Sequence, residues 1–117
     1  MMNNQEYGEW GEKLAHYYLQ QQGYIILHRN WRSKKAEVDL IAFHNNRIVF
    51  IEVKTRANTL HGELISFITN KKINLLRQAI EDYLNIYNLD FEAQIDIFCI
   101  EGDRANYNID WIPNSIS

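Results

Sequence analysis

The sequence predicts an α/β protein with a mixed central β-sheet flanked by helices. Two segments repeat apolar residues at helical spacing, and five shorter ones alternate or run apolar as strands do. Their order is helix, three strands, helix, two strands, and such an order packs helices onto a sheet. With 117 residues, 46% of them hydrophobic, the chain can build one core but not two, so residues 1–117 are expected to form a single domain.

The elements follow in chain order. Tyr7, Trp10, Leu14 and Tyr18 define an apolar stripe, so a helix is expected from Tyr7 to Gln22, with Gly23 at its C-terminal cap. Gly8, Gly11 and Ala15 form a small-residue edge beside that stripe, suited to close backbone approach. Tyr24 to His28 reads as a strand. Glu37 to Phe43 and Arg47 to Arg56 are the clearest strands, and Asn45-Asn46 between them suits a two-residue hairpin turn because Asn tolerates positive φ. Thr59 to Ile68 carries no decisive pattern. Thr69 or Asn70 caps a second helix running to about Tyr87, with Ile73, Leu76, Ile80, Tyr83 and Tyr87 inward. Phe91 to Ile100 and Tyr107 to Ile112 supply the last two strands.

Composition excludes several classes. Cys99 is the single cysteine, so no intrachain disulfide can form. No apolar run approaches the ~18 residues of a membrane span, and the polar start of the chain has no signal-peptide core. A cytoplasmic protein with no membrane partner is the default expectation. The net charge of −3 hides an uneven distribution. Residues 28–77 hold ten basic and four acidic side chains, whereas residues 78–117 hold eight acidic and one basic. A basic middle between acidic ends is what local phosphate contact needs, although small proteins also cluster charge by chance.

The hairpin carries the chemistry. If the chain turns at Asn45-Asn46, Ile41 faces Phe50, Asp39 faces Glu52 and Glu37 faces Lys54. Side chains alternate along a strand, so Glu37, Asp39, Glu52 and Lys54 share one face, and Val38, Leu40, Ala42, Val49, Ile51 and Val53 share the other. Opposed acids with Cβ atoms roughly 5 Å apart repel unless positive charge lies between them. Either Lys54 or a divalent cation can supply it. Hard cations such as Mg²⁺ take carboxylate oxygen plus water. A metal so held polarises a phosphodiester, and a neighbouring lysine stabilises the developing charge. Read from residues alone, an ion-paired strand end without metal is the other interpretation.

Gly11-Glu12, Asn30-Trp31-Arg32, the run Glu37-Val38-Asp39-Leu40-Ile41-Ala42 and the run Val49-Phe50-Ile51-Glu52-Val53-Lys54-Thr55-Arg56 resemble the YraN-type family of predicted endonucleases. That family is similar to archaeal Holliday-junction resolvases and to the PD-(D/E)xK, restriction-endonuclease-like nucleases. The resemblance covers nearly the whole chain. It implies an α-β-β-β-α-β core, Asp39 and Glu52 as ligands of Mg²⁺ or Mn²⁺, the Val53 carbonyl as a further ligand, and Lys54 as the catalytic lysine. It also implies a role in the metal cluster for Glu12 on the first helix; read without it, Glu12 is a solvated surface acid. Ala36 stands where the family usually has Gly, and Gln94 precedes Ile95-Asp96 where an Arg is common.

The substrate expected is nucleic acid, principally DNA, with branched or damaged DNA in view. Arg29, Arg32, Lys34, Lys35, Thr55, Arg56 and Lys72 are the candidate contacts to it. Trp31 can stack on an unpaired base, but packing in the core is the favoured reading. His16, His28, His44 and His61 lack metal-ligand spacing and read as ordinary surface residues. The leading expectation is a metal-dependent endonuclease. A non-catalytic nucleic-acid-binding module with the same fold is the alternative. The resemblance is compatible with a homodimer.

Overall fold

Asn3 starts the first helix. Its side-chain oxygen accepts the Glu6 N–H at 2.8 Å, and the Glu6 carboxylate reaches back to the Asn3 N–H at 3.2 Å. This reciprocal pair satisfies two helix-end donors, so α1 (Asn4–Gln21) begins three residues before the expected Tyr7. The computed structural model describes residues 2–56 and 69–116. The undecided segment Thr59 to Ile68, with His61, lies outside the described residues.

Five strands follow the predicted order: β1 (Ile25–Ser33), β2 (Ala36–His44), β3 (Arg47–Arg56), β4 (Glu92–Gly102) and β5 (Tyr107–Ile116), with α2 (Asn70–Ile86) before β4. They form one sheet in the order β1-β2-β3-β4-β5. Only the β3–β4 pair is parallel, because the chain between them crosses over through α2. The fold is thus α/β with a mixed five-stranded sheet, compatible with a restriction-endonuclease-like core. Two helices are present among the described residues, and none there is long and apolar enough to cross a membrane.

The β2–β3 hairpin takes the expected register: His44 pairs Arg47, Ala42 pairs Val49 and Leu40 pairs Ile51. Asn45 (φ 51°) and Asn46 (φ 62°) supply the two positive angles that a two-residue turn of this twist requires. Thr69 proves to be the cap of α2, its hydroxyl accepting the Lys72 N–H at 3.1 Å.

Each face of the sheet buries one helix. Ala15 and Leu19 of α1 pack on Leu40, Ala42, Val49, Ile51, Phe98 and Ile100. On the other face Leu76, Ala79 and Tyr83 of α2 pack on Ile41, Ile48, Phe50 and Ile95. Val38 departs from expectation. It belongs to the α2 cluster rather than sharing a face with Leu40. The cause is in β1, which runs through Ser33 instead of ending at His28. Asn30 within it has φ 52°, and a left-handed residue breaks strand alternation. Trp31 and its partner Val38 therefore face α2, whereas Leu40, the partner of Arg29, faces α1. Trp31 packs edge-on against Tyr83, with ring centroids 5.3 Å apart, as the packing reading held.

Two histidines are not the ordinary surface residues expected. His44 stacks on Tyr24 at 3.9 Å, and His28 lies against Tyr83 and Tyr87. His28 turns toward α2 because the β1–β2 register shifts between Ile26 and His28.

Candidate active site

The β2–β3 ladder stops at Leu40–Ile51, one pair short of Asp39 and Glu52. Beyond it β2 stays with β1 and β3 stays with β4, whose pairing continues to Arg56–Glu101. The opening exposes peptide groups on one edge of β3. Asp39 fills that deficit, its Oδ2 accepting the Val53 N–H at 2.8 Å. The N–H and C=O of one strand residue leave by the same edge. The Val53 carbonyl therefore also faces the opening, beside the Asp39 carboxylate.

Glu52 is 3% exposed, one of two buried acids among the described residues. Its β3 neighbours of the same parity, Ile48 and Phe50, face α2, and its β4 partner Ile97 is buried. The carboxylate is thus set against a dry wall. Lys54 Nζ lies 3.4 Å from Oε1, and Lys72 Nζ, from the first turn of α2, lies 3.2 Å from Oε2. The second contact is an ion pair only: among the described residues no donor meets the buried Oε2 with hydrogen-bond geometry.

Burial, then the negative charge of Glu52, pushes the Asp39 carboxyl up to about 7, while the Val53 N–H works in the opposite direction. Glu12 feels the same surroundings from α1. Its carboxyl is raised, chiefly by burial, against a hydrogen bond from Asn30, with the charges of Glu37 and Glu52 also raising it. Glu12 approaches because Gly11 lies so close to β3 that a Cβ there would overlap the Thr55 methyl.

The remaining candidates divide. Glu37 does not meet Lys54, as a continued ladder would require; it pairs with Arg32 across β1–β2 at 3.4 Å. The divergence of β2 from β3 is the reason. Arg29 sits beside Glu12 and His16, which both sense its charge. Lys34 and Lys35 form the β1–β2 turn, far enough along for Lys34 to act on Asp82 of α2. Thr55 lies beneath Gly11, and Arg56 ends β3. Lys72 is on Glu52 itself. Sequence reasoning missed that contact, and it missed Asn30 as the partner of Glu12. No signal in the sequence pointed to Asn30, because the expected strand ended at His28, before it.

The donor set fits a hard divalent cation. Two carboxylates and a carbonyl border one opening, and one buried carboxylate oxygen has no hydrogen-bond donor among the described residues. Among the described residues no three acidic, histidine or cysteine side chains already converge on one point.

Fold and site together define an α/β protein with an acid–acid–lysine cluster at the open end of a hairpin. Residues 11–100 match the uncharacterised protein family UPF0102, and the chain belongs to that family, the YraN-type family that its motifs resemble. It is 37% identical over 115 residues to a UPF0102 protein of Bacteroides thetaiotaomicron, covering 98% of this chain and 95% of the relative. A UPF0102 protein of Flavobacterium johnsoniae is 42% identical over 119 residues, at 98% and 97% coverage. One from Shewanella sediminis is 33% identical over 120 residues, at 98% and 99%.

Proposed function

We propose that the chain is a Mg²⁺- or Mn²⁺-dependent endonuclease that hydrolyses phosphodiester bonds in DNA. One observation carries the reading: Glu52 is buried, beside the opening that holds Asp39 and next to Lys54, with one oxygen that is ion-paired to Lys72 but meets no directed donor among the described residues. A buried acid left this way costs stability, and such groups gather where chemistry needs them. Asp39, Glu52 and the Val53 carbonyl would hold the ion, with Glu12 reaching the same opening from α1. Bound there, the ion supplies Lewis acidity toward a phosphoryl oxygen and a more acidic water. Lys54 donates hydrogen bonds to a non-bridging phosphate oxygen and stabilises the charge that grows on it as water attacks phosphorus. The P–O bond opposite the attacking water breaks, and the departing oxygen takes a proton. Ile97 and Cys99, buried on β4 beside Glu52 and Lys54, exclude bulk water and strengthen each charge interaction. Arg29, Arg32, Lys34, Lys35 and Arg56 supply positive charge for the backbone of the nucleic acid.

A non-catalytic nucleic-acid-binding module is the second reading. It is favoured by the two lysines that already balance Glu52 and by the absence, among the described residues, of three converged ligands. Nicking assays on linear and branched DNA, and on RNA, with Mg²⁺, Mn²⁺ or chelator separate the two. Metal-dependent cleavage should disappear in Glu52→Gln and Lys54→Ala while circular dichroism stays unchanged. Salt-sensitive binding without cleavage under any divalent ion would establish the module, and cleavage by Glu52→Gln at the wild-type rate would remove the mechanism.

A further inference from the structure

We propose that Lys72 is a resident counter-ion of the metal-free site: it occupies Glu52 until a divalent cation displaces it. The inference rests on the metal-site reading above and assigns a role to a residue outside the reactive hairpin. Lys72 and an entering cation would compete for the same oxygen, Oε2 of Glu52. With Lys54 also beside Glu52, a divalent ion would repel both ammonium groups, and one of them must retreat. Lys54 is tethered two residues from Glu52 on the same strand. Lys72 comes from a different element, so its side chain can leave without moving β3; both lysine side chains keep 29% of their surface in solvent, so exposure alone does not choose between them. Its contact is also the easier one to exchange. The oxygen it approaches, Oε2, is buried and has no properly directed donor among the described residues, and a metal ion does not need that direction. The anchoring of Lys72 is firm at the backbone, where Thr69 holds its N–H, and free along the side chain. Released from Glu52, the ammonium stays at the mouth of the site, where a substrate phosphate would arrive.

Calorimetry with Mn²⁺ and with Mg²⁺ on the full chain tests this. Lys72→Met keeps the apolar stem and removes the charge, and should tighten Mn²⁺ binding by about tenfold, the affinity change that loss of one modest competing ion pair produces. Lys71→Met, at an exposed neighbour on the same turn, should leave the affinity close to wild type. In the wild type, Mg²⁺ should move the Lys72 side-chain NMR signals toward those of a solvated lysine, a readout that needs no variant to fold. Equal or weaker Mn²⁺ affinity in Lys72→Met, or Lys72 signals unmoved by a bound ion, overturns the counter-ion role and leaves the metal site standing. No heat from wild type or Lys72→Met overturns both.

Discussion

Replacing Gly11 with alanine tests the contact that brings α1, and with it Glu12, to the open end of the hairpin. A Cβ at Gly11 would overlap the Thr55 methyl and touch Ile100 Cδ1 at 3.5 Å. In an exposed helix the change would help by about 1 kcal/mol, because alanine is the better helix former. Here the overlap dominates. Thr55 is β-branched, so rotating its methyl away swings another group toward the same space, and it lies on a strand paired to β4 through Arg56. Overpacking of this kind costs typically 1–3 kcal/mol. The net effect expected for Gly11→Ala is a loss of about 1–2 kcal/mol, or roughly 5–10 °C in Tm for a domain of this size. Thr55→Ser removes the offending methyl, so adding it should restore most of the loss. The coupling between the two changes should be about 1 kcal/mol or more, beyond what independent sites show. Urea unfolding of the wild type, both single variants and the double variant measures it. If Gly11→Ala is as stable as wild type, or if Thr55→Ser fails to rescue it, the close approach of α1 to β3 is wrong.

Two further predictions concern the acids Asp39 of β2 and Asp96 of β4. Asp39 has its carboxyl raised from 3.8 to about 7 by burial and by Glu52. The folded protein therefore holds a proton that the unfolded chain releases. This contribution is fully present below about pH 4 and is lost as pH rises through about 7, an effect of at most a few kcal/mol. Asp39→Asn should flatten that decline in metal-free urea titrations between pH 5 and 8, and an unchanged slope would show that Asp39 does not carry it. Asp96, fully buried on the α1 side, accepts Gln94 Nε2 at 2.8 Å, the Asn114 N–H at 2.9 Å and Trp111 Nε1 at 2.9 Å. Asp96→Asn sets an amide donor against donors and should cost about 2–4 kcal/mol, while Mn²⁺ affinity stays at the wild-type value. Altered metal affinity in a folded Asp96→Asn protein would place that acid in the site after all.

What the sequence made legible was local. The register of the hairpin followed from Asn45-Asn46 and from apolar alternation on either side, and both signals act over a few residues. Thr69 as a cap and the inward stripe of α2 were readable for the same reason. The second half of β1 was not readable. Its residues from Arg29 to Ser33 are mostly polar, and they are held by pairing to β2 rather than by burying an apolar face. Val38 changed sides because a backbone angle at Asn30, on another strand, twists the pair; no pattern within β2 encodes that. Glu37 was assigned to Lys54 by extending a ladder that ends at Leu40–Ile51. Lys72 on Glu52 joins residues twenty apart on different elements, and periodicity places each on its element without saying what meets across the gap.

The point where the ladder fails is also the point where the acids gather, and the two facts have one cause. A strand edge with no partner leaves its N–H and C=O groups in need of others. β3 keeps β4 on one side along its whole length and loses β2 after Ile51 on the other. Asp39 can satisfy Val53 N–H only because β2 has moved away far enough to admit a side chain in place of a backbone carbonyl. The same separation turns the Val53 carbonyl toward an opening instead of a neighbouring strand. Closing the hairpin by two more pairs, as far as Val38–Val53, would bond that peptide group to β2 and remove two of the three oxygen sources from the site. An inserted residue that extends the β2–β3 pairing past Asp39 should therefore abolish Mn²⁺ binding in calorimetry even with Asp39, Glu52 and Lys54 all retained. Undiminished binding in such a folded variant would show that the divergence of the strands is incidental to the site.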